Sequence, residues 1–91
     1  MDFDEIQLKF WQNMLRLIRD FRKGVISYRD FVYGLEGCLD MGEYKDEKLI
    51  HQWYDYWTPL EILSATKGNN VTLEDADKYI SDMEAFLKSC L

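Results

Sequence analysis

The chain has little with which to do chemistry. Its 91 residues include one histidine, one proline, two cysteines and five glycines. A single histidine excludes a two-histidine metal site within one chain. The glycines are scattered, so no glycine-rich loop is available to cradle a phosphate. The segment from Asp40 to Glu47 is acidic, but it lacks the spaced oxygen ligands and central glycine of a calcium loop. No apolar run approaches the roughly 18 residues that would span a bilayer. Met1-Asp2-Phe3-Asp4-Glu5 is acidic, where a secretory signal carries positive charge, so a cytoplasmic location is expected. In that compartment Cys38 and Cys90 are expected to be free thiols.

What is present describes a small globular domain. A chain of this length has room for one core, so residues 1–91 are expected to form a single helical domain. Hydrophobic residues make up 47% of it and charged residues 31%, a soluble composition rather than a disordered one. Charge is uneven: residues 1–29 carry a net +2 and residues 30–91 a net −8. Acidic surface repels phosphate and attracts basic proteins, so direct nucleic-acid binding is not expected and a basic protein partner is.

Strand signals are absent, and helical periodicity runs through most of the chain. Four helices are predicted, near residues 4–23, 28–41, 46–65 and 72–90, forming an all-α, compact antiparallel four-helix bundle. In the first, Phe3, Ile6, Phe10, Met14, Leu17 and Phe21 recur at three- and four-residue steps, and Trp11, Leu15 and Ile18 widen that stripe. The third should break or kink near Pro59, which lacks a backbone donor and pushes Thr58 out of helical geometry. The last buries Leu73, Ala76, Tyr79, Ile80, Met83, Leu87 and Cys90. Expected core residues are Phe10, Leu17, Phe21, Phe31, Leu35, Trp53, Trp57, Ile80, Met83 and Leu87. Gly34 and Gly37 lie inside the second helix, where each costs about 1 kcal/mol relative to alanine, and close approach to a neighbouring helix is the expected reason. Gly42 should end that helix.

Two constellations could carry function. Glu47, His51 and Asp55 are spaced by four and stack on the outer face of the third helix. With no second histidine or nucleophile beside them, an exposed charge ladder is the preferred reading, and a site around His51 is the enzymatic alternative. The second is an acidic region with tyrosines in it. Trp53 and Trp57 lie about 40° apart and face the core, whereas Tyr54 falls at the helix edge beside Glu47 and Glu61. Tyr44 sits in the acidic connection between the second and third helices. Tyrosine among acids matches the amphipathic anchors of protein interfaces. The expected partner-binding residues are therefore Asp40, Glu43, Tyr44, Asp46, Glu47, Tyr54 and Asp55, with no catalytic residue, metal or cofactor.

The corner Leu17-Ile18-Arg19-Asp20-Phe21-Arg22-Lys23-Gly24-Val25-Ile26-Ser27-Tyr28-Arg29-Asp30-Phe31 is the most ordered local signal. Basic residues close one helix, Gly24 supplies a left-handed turn, and Ser27 with Asp30 has the spacing of a capping box. Ile26 and Phe31 occupy the staple positions. These residues resemble the N-terminal corner of the small helical bacterial immunity proteins of the colicin D type. The resemblance implies an acidic helical protein that covers the basic active-site cleft of a nuclease toxin. No individual site residue follows from it. The preferred function is thus a non-catalytic immunity protein, and the alternative is a small helical adaptor or complex subunit that uses the same acidic–aromatic face.

Overall fold

Each helix begins where a side-chain oxygen can satisfy otherwise orphaned backbone donors. The structure, a computed structural model, describes residues 3–91. Helix α1 spans Glu5–Arg22 and starts at Asp4, whose carboxylate accepts the Gln7 N–H at 2.7 Å while the Gln7 side chain accepts the Asp4 N–H. Gly24, at φ 73°, turns the chain after α1, so that Val25 N–H reaches the Asp20 carbonyl and Gly24 N–H reaches that of Phe21. That is the Schellman pairing. Helix α2 spans Tyr28–Gly42 and is capped by Ser27, which accepts the Asp30 N–H at 3.1 Å. Helix α3 spans Glu47–Lys67 behind the Asp46 cap, and a short 3-10 turn follows over Gly68–Asn70. Helix α4 spans Leu73–Ser89, with a reciprocal capping box between Thr72 and Asp75.

The four helices form an antiparallel bundle with no strand among the described residues. Helix α1 packs closely on α2, and α3 on α4. Contacts of α1 with α4 and of α2 with α3 close the square, leaving α1 diagonal to α3. Among the described residues no helix is long and apolar enough to cross a membrane.

Large aromatics fill the centre, and each places its polar atom on another helix. Trp11 of α1 donates to the Leu87 carbonyl of α4 at 2.8 Å. Trp53 of α3 donates to the Met14 sulfur of α1 at 3.3 Å, and Trp57 of α3 to the Val32 carbonyl of α2 at 2.9 Å. Tyr28 of α2 donates to the Leu60 carbonyl of α3 at 2.7 Å. A buried N–H or O–H left without a partner costs about 1–3 kcal/mol, so these bonds constrain how each helix is rotated.

That rotation corrects part of the expected core. Phe31, Leu35, Trp53, Trp57, Ile80, Met83 and Leu87 are buried, but the fully buried residues of α1 are Trp11, Met14 and Ile18. Phe10, Leu17 and Phe21 are half-buried on the flank of that face, and Ile6 is 62% exposed. Phe21 stacks on Phe31 and meets Tyr28 edge-on, so the flank still seals α1 against α2. Leu73 and Tyr79, expected inside α4, are 44% and 37% exposed, and Phe86 takes the buried place instead.

Gly34 and Gly42 behave as expected, whereas Gly37 and the break at Pro59 do not. The break anticipated at Pro59 does not occur, and α3 is helical on both sides of it. Pro59 withholds one N–H from the Asp55 carbonyl, on an exposed face where water can replace it, while Trp57 and Leu60 anchor the adjoining turns in the core. Gly34 has its expected reason, since a Cβ there would lie 3.2 Å from the Leu17 side chain. Gly37 has none, because a Cβ there would meet nothing within 4 Å. Gly42 ends α2 as expected, and the next residue, Glu43, takes the left-handed conformation at φ 51°.

Removing the Trp53 side chain deletes buried volume and one cross-helix bond together. Trp53→Ala is expected to lower unfolding free energy by about 3–5 kcal/mol in urea titrations. A loss below about 1 kcal/mol would show that the indole does not carry the core.

Candidate protein-binding face

The α2–α3 connection is organised by Tyr44, which was expected at the surface and is buried instead. A Cβ on residue 42 would overlap the Tyr44 ring, so only glycine fits beneath it. The ring packs edge-on against Phe3 and Trp11, and its hydroxyl donates to the Gln7 carbonyl. The left-handed turn falls on the next residue, Glu43, a conformation that costs a non-glycine residue about 1–2 kcal/mol. The Gln7 amide also donates to the Glu43 carbonyl at 3.3 Å. Tyr44 is therefore a clamp between the connection and the start of α1, and it leaves the candidate face.

Asp40 and Tyr54 do come together. Tyr54 is half-buried, with its ring edge-on to both Trp53 and Trp57, at interplanar angles of 83° and 86°. Its hydroxyl donates to Glu36 Oε2 at 3.2 Å, across the α2–α3 seam. Burial raises the Tyr54 pKa first, and the Glu36 hydrogen bond with the nearby charges of Glu36, Asp40 and Glu61 raises it further. These carboxylates thus surround one oriented aromatic side chain.

The remaining expected residues divide by position. Glu47 is exposed in the first turn of α3, seven residues before Tyr54 and on the same stripe. Asp46 is exposed, but its carboxylate accepts the Leu49 N–H at 3.2 Å as the cap of α3. Glu43 is exposed at the rim. Asp55 is exposed about 100° round the helix from Tyr54, on the side away from α2. His51 is exposed with it, and no group of three His, Cys, Asp or Glu among the described residues could hold a metal ion.

The structure adds Glu36 and Glu61 to this face. Glu61 was legible from its seven-residue spacing after Tyr54, whereas Glu36 depends on the α2–α3 seam, which sequence periodicity does not specify. The only Lys or Arg between residues 30 and 66 are Lys45 and Lys48. Cations gather along α1 and its C-cap, where Lys9, Arg16, Arg19 and Lys23 are all exposed, and Arg29 is exposed in the first turn of α2. Acids therefore predominate along the α2–α3 seam, and α4 is acidic as well, with Glu74, Asp75, Asp77, Asp82 and Glu84 against Lys78 and Lys88. Cys38 and Cys90 are free thiols, and burial pushes the Cys38 thiol up despite its hydrogen bond from Asn13. No family model, curated protein or solved structure matches the chain.

Three tyrosines give a pH dependence with a defined sign. Burial is the leading cause that holds the pKa of Tyr28, Tyr44 and Tyr54 above the ordinary value. The unfolded chain therefore loses these protons first, so their contribution is complete below about pH 10 and is lost as pH rises through the folded values. Melting temperature is expected to fall above about pH 10, and less steeply in Tyr44→Phe. A melting temperature that stays flat or rises there would contradict the burial of these hydroxyls.

Proposed function

We propose that this protein is a non-catalytic acidic binder, an immunity-type inhibitor that covers the basic active-site cleft of a nuclease toxin. The observation that supports this reading is the grouping of Glu36, Asp40 and Glu61 around Tyr54. A cleft that holds nucleic acid must be positive, and an acidic face competes for the same potential. Complementary charge also accelerates encounter. Tyr54 adds apolar contact area whose position is already set by Trp53, Trp57 and Glu36, so little ordering entropy is lost on docking. Inhibition occurs by occlusion in the cytoplasm, with no cofactor, metal or chemical step supplied by this chain.

The decisive experiment isolates the native complex and assays the captured protein as a nuclease with and without this chain. The reading requires stoichiometric inhibition of nuclease activity, and a captured partner with no nuclease activity would transfer the face to an adaptor role. Asp40→Lys and Glu61→Lys should slow association and flatten its salt dependence, with helicity and melting retained. Unchanged association by these folded variants would place the binding surface elsewhere.

A further inference from the structure

Gly37 is the one helix-interior glycine whose presence the fold does not explain. It lies inside α2, where glycine weakens a helix relative to alanine, and a Cβ there would meet only open space. Buried Phe31, Val32, Leu35, Cys38 and Leu39 define the inner side of α2, which puts Gly37 at its outermost position. Tyr33 precedes it by four residues and Met41 follows by four, so the three share one ridge. Tyr33 is 43% exposed and Met41 63% exposed, an apolar pair on either side of a notch. Glu36 and Asp40 border the ridge on the side toward Tyr54.

We infer that this notch is the seat of a basic amphipathic helix of the partner, which crosses α2 over Gly37. Eight residues separate Tyr33 from Met41, about 12 Å along the axis at the helical rise, and a helix with its side chains is about 10–12 Å across. The two side chains take up part of that span, so a crossing helix rides over the ridge at Gly37, with its backbone brought close by the missing side chain. Its apolar side meets Tyr33 and Met41, and its cations meet Glu36 and Asp40. A second copy of this chain crossing at Gly37 fits less well, because it would set Glu36 and Asp40 beside the same acids of its twin. The inference rests on the basic-partner reading above and adds where, and by what kind of element, contact is made.

The test uses a helical peptide of leucine and lysine, titrated at low salt into isotope-labelled protein and followed by amide chemical shifts. Shifts are expected along Tyr33–Met41 and at Tyr54. Gly37→Leu should weaken the peptide by about tenfold or more while melting is retained or raised, as expected of a blocked contact site and not of a damaged fold. Peptide binding with a silent ridge, or with undiminished affinity in Gly37→Leu, overturns the notch and leaves the basic-partner reading standing. Failure of the wild type to bind the peptide anywhere removes the basic-partner reading itself. A concentration-dependent dimer abolished by Gly37→Leu would reassign the ridge to self-association and overturn the inference.

Discussion

Burying an indole removes a large apolar surface from water but carries an N–H that must still find an acceptor. This bundle buries three of them and solves the problem the same way each time, by reaching to a different helix. Trp11 ties α1 to α4, Trp53 ties α3 to α1, and Trp57 ties α3 to α2. Tyr28 adds a return link from α2 to α3. Apolar packing alone tolerates some rotation of a helix about its axis, because one hydrophobic residue can replace another. A directional bond from a buried donor does not. The relative rotation of the helices follows, and with it the residues that are left to face solvent.

The acidic face is a consequence of that constraint. With Trp53 and Trp57 turned inward, Tyr54 must lie about 100° from Trp53, at the seam with α2. There it meets Glu36, and Asp40 and Glu61 are near enough to disfavour its ionisation. At the end of α2, Tyr44 fills the space over Gly42, and Glu43 between them takes the left-handed turn. The connection is thereby pinned to α1, and the carboxylates beyond it are presented from a rigid frame. Rigid presentation would favour the proposed binding role, since less conformational freedom is lost when such a surface docks.

Much of the architecture could be read from the chain, and the exceptions have physical causes. Helix starts were legible because Asp4, Ser27, Asp46 and Thr72 each stand where a side-chain oxygen meets a free backbone donor. The buried line of α1 was not, because apolar residues surround much of that helix. Periodicity alone does not choose between Phe10–Leu17–Phe21 and Trp11–Met14–Ile18, and the Trp11 hydrogen bond to α4 favours the second. Pro59 was overestimated as a breaker, since local propensity yields to tertiary packing from Trp57 and Leu60. Tyr44 was misplaced because a polar connection has no periodicity to read. Its one signal was the glycine two positions earlier. For the candidate face, helical spacing placed Tyr54 and Glu61 together, whereas Glu36 required the packed seam.

The account depends on the indole bonds being part of the cooperative core rather than ornaments on it. Hydrogen exchange of the Trp11, Trp53 and Trp57 indole N–H groups, measured across low urea concentrations, tests this directly. The bonds are predicted to open only with global unfolding, so all three should exchange slowly and with the full denaturant dependence of the unfolding transition. An indole that exchanges quickly, or at a rate independent of urea, would show that its helix can turn without unfolding the rest, and the fixed acidic face would lose its support.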